Sequence, residues 1–255
     1  MILMNETLNR NIKELLTEYP SLAQILSEFD IGCVTCNLGT CKFKDIVEIH
    51  NLSIGQEQEL LKKCSAIIFP GQDITIPAIA RKEKQTNRAN LAPPVRELVI
   101  EHTVIKDFLA SIPSLLESRS NHDLIAKGID FIRNYADAFH HAKEEKILFG
   151  YFDSDSDIIK SFITEHETGR EYVREARRSL EKDDWVSLEK NLIAYRDLLT
   201  EHIKKEDEIL YPWMNRSLSD TQIGQLFSRF QDVNAEFSSV TGEYRAFVES
   251  VKKQD

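Results

Sequence analysis

The sequence predicts an all-α protein: an up-down four-helix bundle, preceded by a small helical domain bearing cysteines and followed by a C-terminal helix. Three observations carry that prediction. Long amphipathic patterns follow one another from about residue 94 to 211, joined by short polar connections. Shorter helical patterns with their own start and stop signals fill residues 7 to 64. Between them, Pro70, Gly71, Pro77 and the polar run "RKEKQTNRAN" break the periodicity, so residues 65–93 read as a partly packed linker.

The elements follow in order. "NRNIKELLTEY" stops at Pro20, and "SLAQILSEF" starts on Ser21. "CKFKDIVEIHN" follows a cysteine loop, and "SIGQEQELLKK" opens with a Ser-x-x-Gln capping pattern. Together they make the small domain, residues 1–64. The bundle, residues 94–215, is expected as helices of roughly 94–118, 121–151, 155–182 and 185–211, the first kinked near Pro113. A fifth pattern opens at "SLSD", runs through Leu226, Phe227, Phe230, Val233 and Phe237, and fills residues 216–255.

Charge and composition exclude several functions. Asp and Glu outnumber Lys and Arg by 42 to 32, a formal charge of -10, which disfavours a phosphate-binding surface and hence a nucleic-acid partner. The opening run "MILMNETLNR" is too short for a signal peptide or membrane anchor, and no later stretch reaches transmembrane length. The expectation is a cytoplasmic protein with no membrane partner. Four cysteines there point to redox or metal chemistry rather than a structural disulfide framework.

The chemistry lies on the bundle's apolar faces. His102 sits on the stripe Val95, Leu98, Val99, Ile105, Leu109; His140 and Glu144 continue Ile132 and Ala136 toward Leu148. His166 is bracketed by Ile159, Phe162, Ile163, Val173 and Ala176, and Leu198 and Leu199 lead to His202, Glu206 and Leu210. One histidine on an apolar face is ordinarily a satisfied core residue. One on each of four consecutive helices is a ligand pattern, and the i, i+4 pairs His140/Glu144 and His202/Glu206 add two carboxylates on the same faces. Four imidazoles and two carboxylates suit a pair of iron ions, which would offset the several kcal/mol that each buried carboxylate costs. His141 and Glu145 also have i, i+4 spacing, but His141 follows Arg133 and Asp137 on a charged stripe. They are expected at the rim, with His141→Ala keeping its iron and His140→Ala losing it. Glu101, Glu165 and Glu201 each precede a proposed ligand and point about 100° away from it, placing them for hydrogen bonds behind the site or for proton delivery. Glu165 is the catalytic candidate of the three. Gly169, one turn past His166, leaves room beside the metals or is simply a tolerated helix glycine.

"PPVRELVIEHTVIKDFL", "FHHAKEEKILF", "EHETGREY" and "EHIKKEDEILYP", in that order over about residues 94 to 215, resemble the four helices of the hemerythrin-like, HHE cation-binding family. The resemblance implies its fold and a non-haem iron site. Within the family the pattern is similar to that of the di-iron proteins for repair of iron centres. Carried over, that implies a carboxylate- and oxo-bridged iron pair on His102, His140, Glu144, His166, His202 and Glu206. Oxygen-carrying members have a further histidine four residues after the third-helix one, where this chain has Arg170. Their fourth-helix His-x-x-x-x-Asp spacing would select Asp207; the repair-type "Glu-x-x-x-Leu-aromatic-Pro" pattern selects Glu206, leaving Asp207 solvated or behind the ligands.

Cys33 and Cys36 form a Cys-x-x-Cys pair, a spacing that supports either a redox disulfide or half a metal site. The surrounding segment, about residues 5 to 62, resembles the small redox-disulfide domain associated with hybrid-cluster proteins. Cys41 exceeds that two-cysteine pattern and leaves an iron-sulfur or zinc site open, with Cys64 as fourth ligand. These resemblances imply a di-iron centre that binds or reacts with oxygen, nitric oxide or peroxide. Cys33 and Cys36 would act as its redox or iron-transfer partners, and iron-sulfur proteins or a redox donor would be the macromolecular ones. Two alternatives are a sensor or iron store without turnover, and a metal-stabilised scaffold for thiol transfer.

Overall fold

A computed structural model describes residues 2–29, 31, 42–44, 46, 50, 52–72, 74–76, 91–117 and 121–252. The fold is all-α, and among the described residues β-structure is limited to one isolated antiparallel bridge, Asn11 with Lys42. The chain forms two compact units, Met1–Gln85 and Thr86–Asp255.

The first unit contains α1 (Ile2–Leu8), α2 (Ile12–Glu18), α3 (Leu22–Glu28) and α4 (Ile54–Ile68). The Asn11 side chain accepts from the Lys13 N–H at the start of α2. Ser53 and Gln56 close the capping box that "SIGQ" predicts at the start of α4. Met4, Leu15, Leu22, Leu26, Leu60 and Leu61 are buried in this unit's core. Helix α4 passes through Cys64 and ends at Ile68, so the expected boundary between residues 64 and 65 falls inside a helix. The apolar run "CSAII" continues the α4 face, with Cys64, Ser65 and Ile68 all buried.

In the second unit α5 (Pro93–Glu117) runs through Pro113. Helix α6 (His122–Phe131), capped by Asn121, continues as π-helix over Ile132–His141 and Glu144–Leu148 and closes in a 3₁₀ turn at Phe149–Tyr151. Helix α7 is Asp157–Glu181. Helix α8 (Trp185–Lys205) passes through a π turn at Glu206–Leu210 into α9 (Tyr211–Ser217). These are the four bundle helices expected from the sequence.

The C-terminal region differs from expectation, because it holds two helices, α10 (Asp220–Glu236) and α11 (Ser238–Lys252). Ser219 and Gln222 form a second capping box at the start of α10. Both helices lay apolar residues on the bundle. Phe237 meets Phe139 at 5.6 Å between ring centroids, Tyr244 meets Phe131 at 5.8 Å and Phe247 meets Phe108 at 6.4 Å.

Candidate metal centre

Each bundle helix brings a histidine to one region of the second unit's interior: His102 from α5, His140 from the π stretch after α6, His166 from α7 and His202 from α8. All four are essentially inaccessible to solvent, as are Glu144 and Glu206. Ligand-type atoms of His102, His140, Glu144 and Glu206 all lie within 4.8 Å of one another. A second group with the same spacing consists of His141, His166 and His202.

His141 therefore departs from its expected place at the rim. Its side chain is buried, and its ring stacks on His166 at 4.0 Å between centroids. The cause is the π-helix. Its wider i→i+5 turn advances each residue by less than the roughly 100° of an α-helix, so consecutive His140 and His141 both face inward. Assigning stripes on α-helical periodicity put His141 on the wrong face.

Two carboxylates span the two groups. Glu206 places Oε2 3.2 Å from His102 Nε2 and Oε1 3.1 Å from His202 Nε2. Glu144 Oε2 lies 3.7 Å from His140 Nε2 and 3.6 Å from His166 Nε2. The Tyr211 hydroxyl donates to the other oxygen of Glu144 and lies 3.4 Å from His102 Nε2.

The outer ring nitrogens are held by carboxylates. His102 Nδ1 meets Asp207 at 2.7 Å, His140 Nδ1 meets Glu101 at 2.9 Å, His166 Nδ1 meets Glu145 at 2.7 Å and His202 Nδ1 meets Glu165 at 2.7 Å. His141 Nδ1 is 3.7 Å from Asp137. A carboxylate on Nδ1 fixes the tautomer with its proton outward and turns the Nε2 lone pair inward, the arrangement that metal-binding histidines use. Behind those carboxylates stands a layer of cations. Lys106 pairs with Asp207, Lys143 with Glu101, and Lys205 with Glu165, while Arg170 bridges Glu145 and Asp137.

The other residues expected from the sequence take the following places. Glu165, the catalytic candidate, sits behind His202 on its outer nitrogen and does not face the interior, so it is a positioning residue. Glu201 is exposed. Asp207 stands behind His102 while Glu206 fills the interior. Gly169 faces helix α8, where an added Cβ would meet Leu199 at 3.3 Å and the Tyr195 ring at 3.5 Å, so it permits close helix packing. Cys33, Cys36 and Cys41 lie outside the described residues. Cys64 lies in the apolar core, where burial pushes its thiol up to about 12. Tyr211 enters the sequence pattern only as the aromatic of the fourth-helix motif, and no local spacing marks the cation layer.

Within the protein alone, the buried acids and imidazoles shift in opposite directions. Burial and the facing Glu206 raise Glu144 well above the carboxylate range, whereas burial is overcome at Glu206 by His202 and His102, which hold it well below. Burial would lower His202, but Glu206 and Glu165 raise it to about 9. Burial, with neighbouring histidines, pushes His140 and His166 well down. His140 Nε2, Glu144 Oε2 and both oxygens of Glu206 are buried without a hydrogen-bond partner. Unsatisfied donor atoms of metal-binding type, converging from four helices, fit a bound cation.

Residues 94–214 match the family model described as Hemerythrin HHE cation binding domain. The chain carries a hemerythrin HHE cation-binding domain. That domain implies iron, and its imidazole and carboxylate donors are the two buried groups above. No curated protein and no solved structure matches the chain. No helix among the described residues is long and apolar enough to cross a membrane.

Proposed function

We propose that the hemerythrin HHE domain holds two iron ions and that the protein binds or reacts with a small oxidant or radical, namely dioxygen, nitric oxide or peroxide. What carries the reading is Glu206, whose two unsatisfied oxygens face histidines of different groups, as a bridging carboxylate would. In this reading His141, His166 and His202 would hold one ion and His102 and His140 the other, with Glu144 and Glu206 as the carboxylate donors. Bound iron supplies the redox chemistry and exchangeable coordination positions. The chain supplies the rest. Asp207, Glu101, Glu145 and Glu165 orient the imidazoles, the buried apolar residues of the bundle exclude bulk water, and the Tyr211 hydroxyl holds a proton at Glu144. The thiols of the first unit would act as electron or iron-transfer partners, in oxidative or nitrosative stress defence or repair of iron-sulfur centres in the cytoplasm.

The test is metal analysis with visible and Mössbauer spectra of anaerobically prepared protein, followed by nitric oxide, dioxygen and peroxide in turn. Two irons per chain with a spectral response to at least one of these is expected. Absence of iron, or a single mononuclear signal, overturns the proposal. Tight binding without turnover would assign the protein to sensing or storage.

A further inference from the structure

Beyond the metal centre, a cavity of about 430 Å³ runs between α7 and the π stretch that follows α6. Its lining includes His141 and His166 together with five arginines. Arg170, Arg174, Arg177 and Arg178 recur along one face of α7, and Arg133 joins them from the facing helix. Asp137 and Glu181 are the acids of the lining, against five arginines, each of which has a carboxylate partner.

The interior of the cavity is apolar, formed by Ile132, Val173, Gly169 and the ring of Tyr195. Tyr195 is 2 % exposed, yet its hydroxyl has no hydrogen-bond partner. A buried phenol left unpaired is costly and is ordinarily matched by a partner. Arg174, Arg177 and Arg178 pair with neighbours on their own helix: Arg174 with Glu171, Arg177 with Glu181 and Arg178 with Glu175. Exposed pairs of this kind contribute little to stability, so a ligand displaces them at little cost. The volume lies within the usual range for organic ligands, roughly 300–1,000 Å³, and far exceeds what a diatomic molecule needs.

We infer that this cavity is a binding site for a small amphipathic organic carboxylate. Its apolar body lies against Ile132, Val173 and the Tyr195 ring, and its carboxylate accepts from the Tyr195 hydroxyl on one oxygen while its charge faces Arg174 and Arg178. Inorganic anions lack the first of these contacts. The inference does not depend on the iron reading, because binding is measured directly.

Calorimetric titration of the full-length, metal-loaded protein with octanoate, beside sodium nitrate at matched ionic strength, tests it. Saturable binding of one octanoate per chain is expected, with no comparable nitrate binding. The double substitution Arg174→Ala/Arg178→Ala, on an exposed face, should weaken octanoate at least tenfold. Tyr195→Phe, which keeps the ring, should weaken it severalfold. No saturable octanoate binding, equal binding of nitrate, or an affinity unchanged in both variants overturns the inference. Iron content measured on the same samples separates its failure from failure of the metal reading.

Discussion

Five imidazoles face one another in the hemerythrin HHE domain, and in His102, His140, His166 and His202 a carboxylate on the outer nitrogen decides which nitrogen is free. His140→Ala and His141→Ala should therefore both lower the iron content, each by about one ion per chain, as read by elemental analysis. Full iron retention in His141→Ala would return that residue to the rim. Glu165→Gln keeps the shape but withdraws the charge that holds His202; loss of such a support typically costs about 10–100-fold in metal affinity. A chelator competition titration should show that loss with the visible spectrum of the loaded site shifted. The free protein carries a pH signature. His202 is raised from its ordinary 6.5 to about 9, burial being outweighed by Glu206 and Glu165. A histidine whose folded value is raised stabilises fully below its unfolded value and loses that contribution as pH climbs through the folded one. Chelator-stripped protein should thus lose thermal stability between about pH 6.5 and 9, whereas iron-loaded protein, its imidazoles already engaged, should change little there.

The helices carrying these residues were legible from periodicity and caps, and His102, His166 and His202 were placed inward because α5, α7 and α8 are α-helical where those residues lie. His141 was misplaced because a π-helix keeps the composition of an α-helix while changing its angular step, and no residue type announces the change. The outer cations were invisible for a different reason, since Lys143 to Glu101 and Arg170 to Asp137 are pairings between helices. Deleting Ala138 would pull the Ile132–His141 stretch back toward α-helical register and rotate the His140/His141 pair. Helical content by circular dichroism should survive while iron stoichiometry falls; unchanged stoichiometry would show that the widened turn is dispensable. The helix glycines separate in the same way. An added Cβ at Gly128 would stand 2.8 Å from Leu115 Cδ2 and 3.3 Å from Phe108 Cζ, against 3.3 Å for its closest neighbour at Gly169. Overpacking costs about 1–3 kcal/mol and replacing a helix glycine by alanine returns about 1 kcal/mol. Gly128→Ala should therefore destabilise by about 1 kcal/mol in denaturant titration, with Gly169→Ala close to neutral.

The span matched by the family model, 94–214, is shorter than the unit that folds, which runs from Thr86 to Asp255. Helices α10 and α11 bury Leu226, Phe230, Phe247, Val248 and Val251, and full burial of five such side chains is worth about 8–15 kcal/mol. That matches the entire net stability of an ordinary domain, about 5–15 kcal/mol. Helix α10 also reaches toward the metal centre. Asn234 of α10 hydrogen-bonds Glu97 at 2.8 Å, and Lys143, which supports Glu101 behind His140, lies 5.1 Å from the Phe230 ring centre. Removing these helices would expose the aromatic face around Phe108, Phe131 and Phe139 and open the surroundings of a buried lysine. A fragment of residues 86–255 contains all seven donors and its complete core, so it should fold cooperatively and bind as much iron as the full chain. A fragment ending at residue 217 retains the same seven donors, yet it should neither unfold cooperatively nor hold iron. Thermal denaturation and elemental analysis of the two fragments decide the point: equal iron in both would make the C-terminal helices a removable cover, and loss from the shorter one alone makes them part of the metal-binding fold.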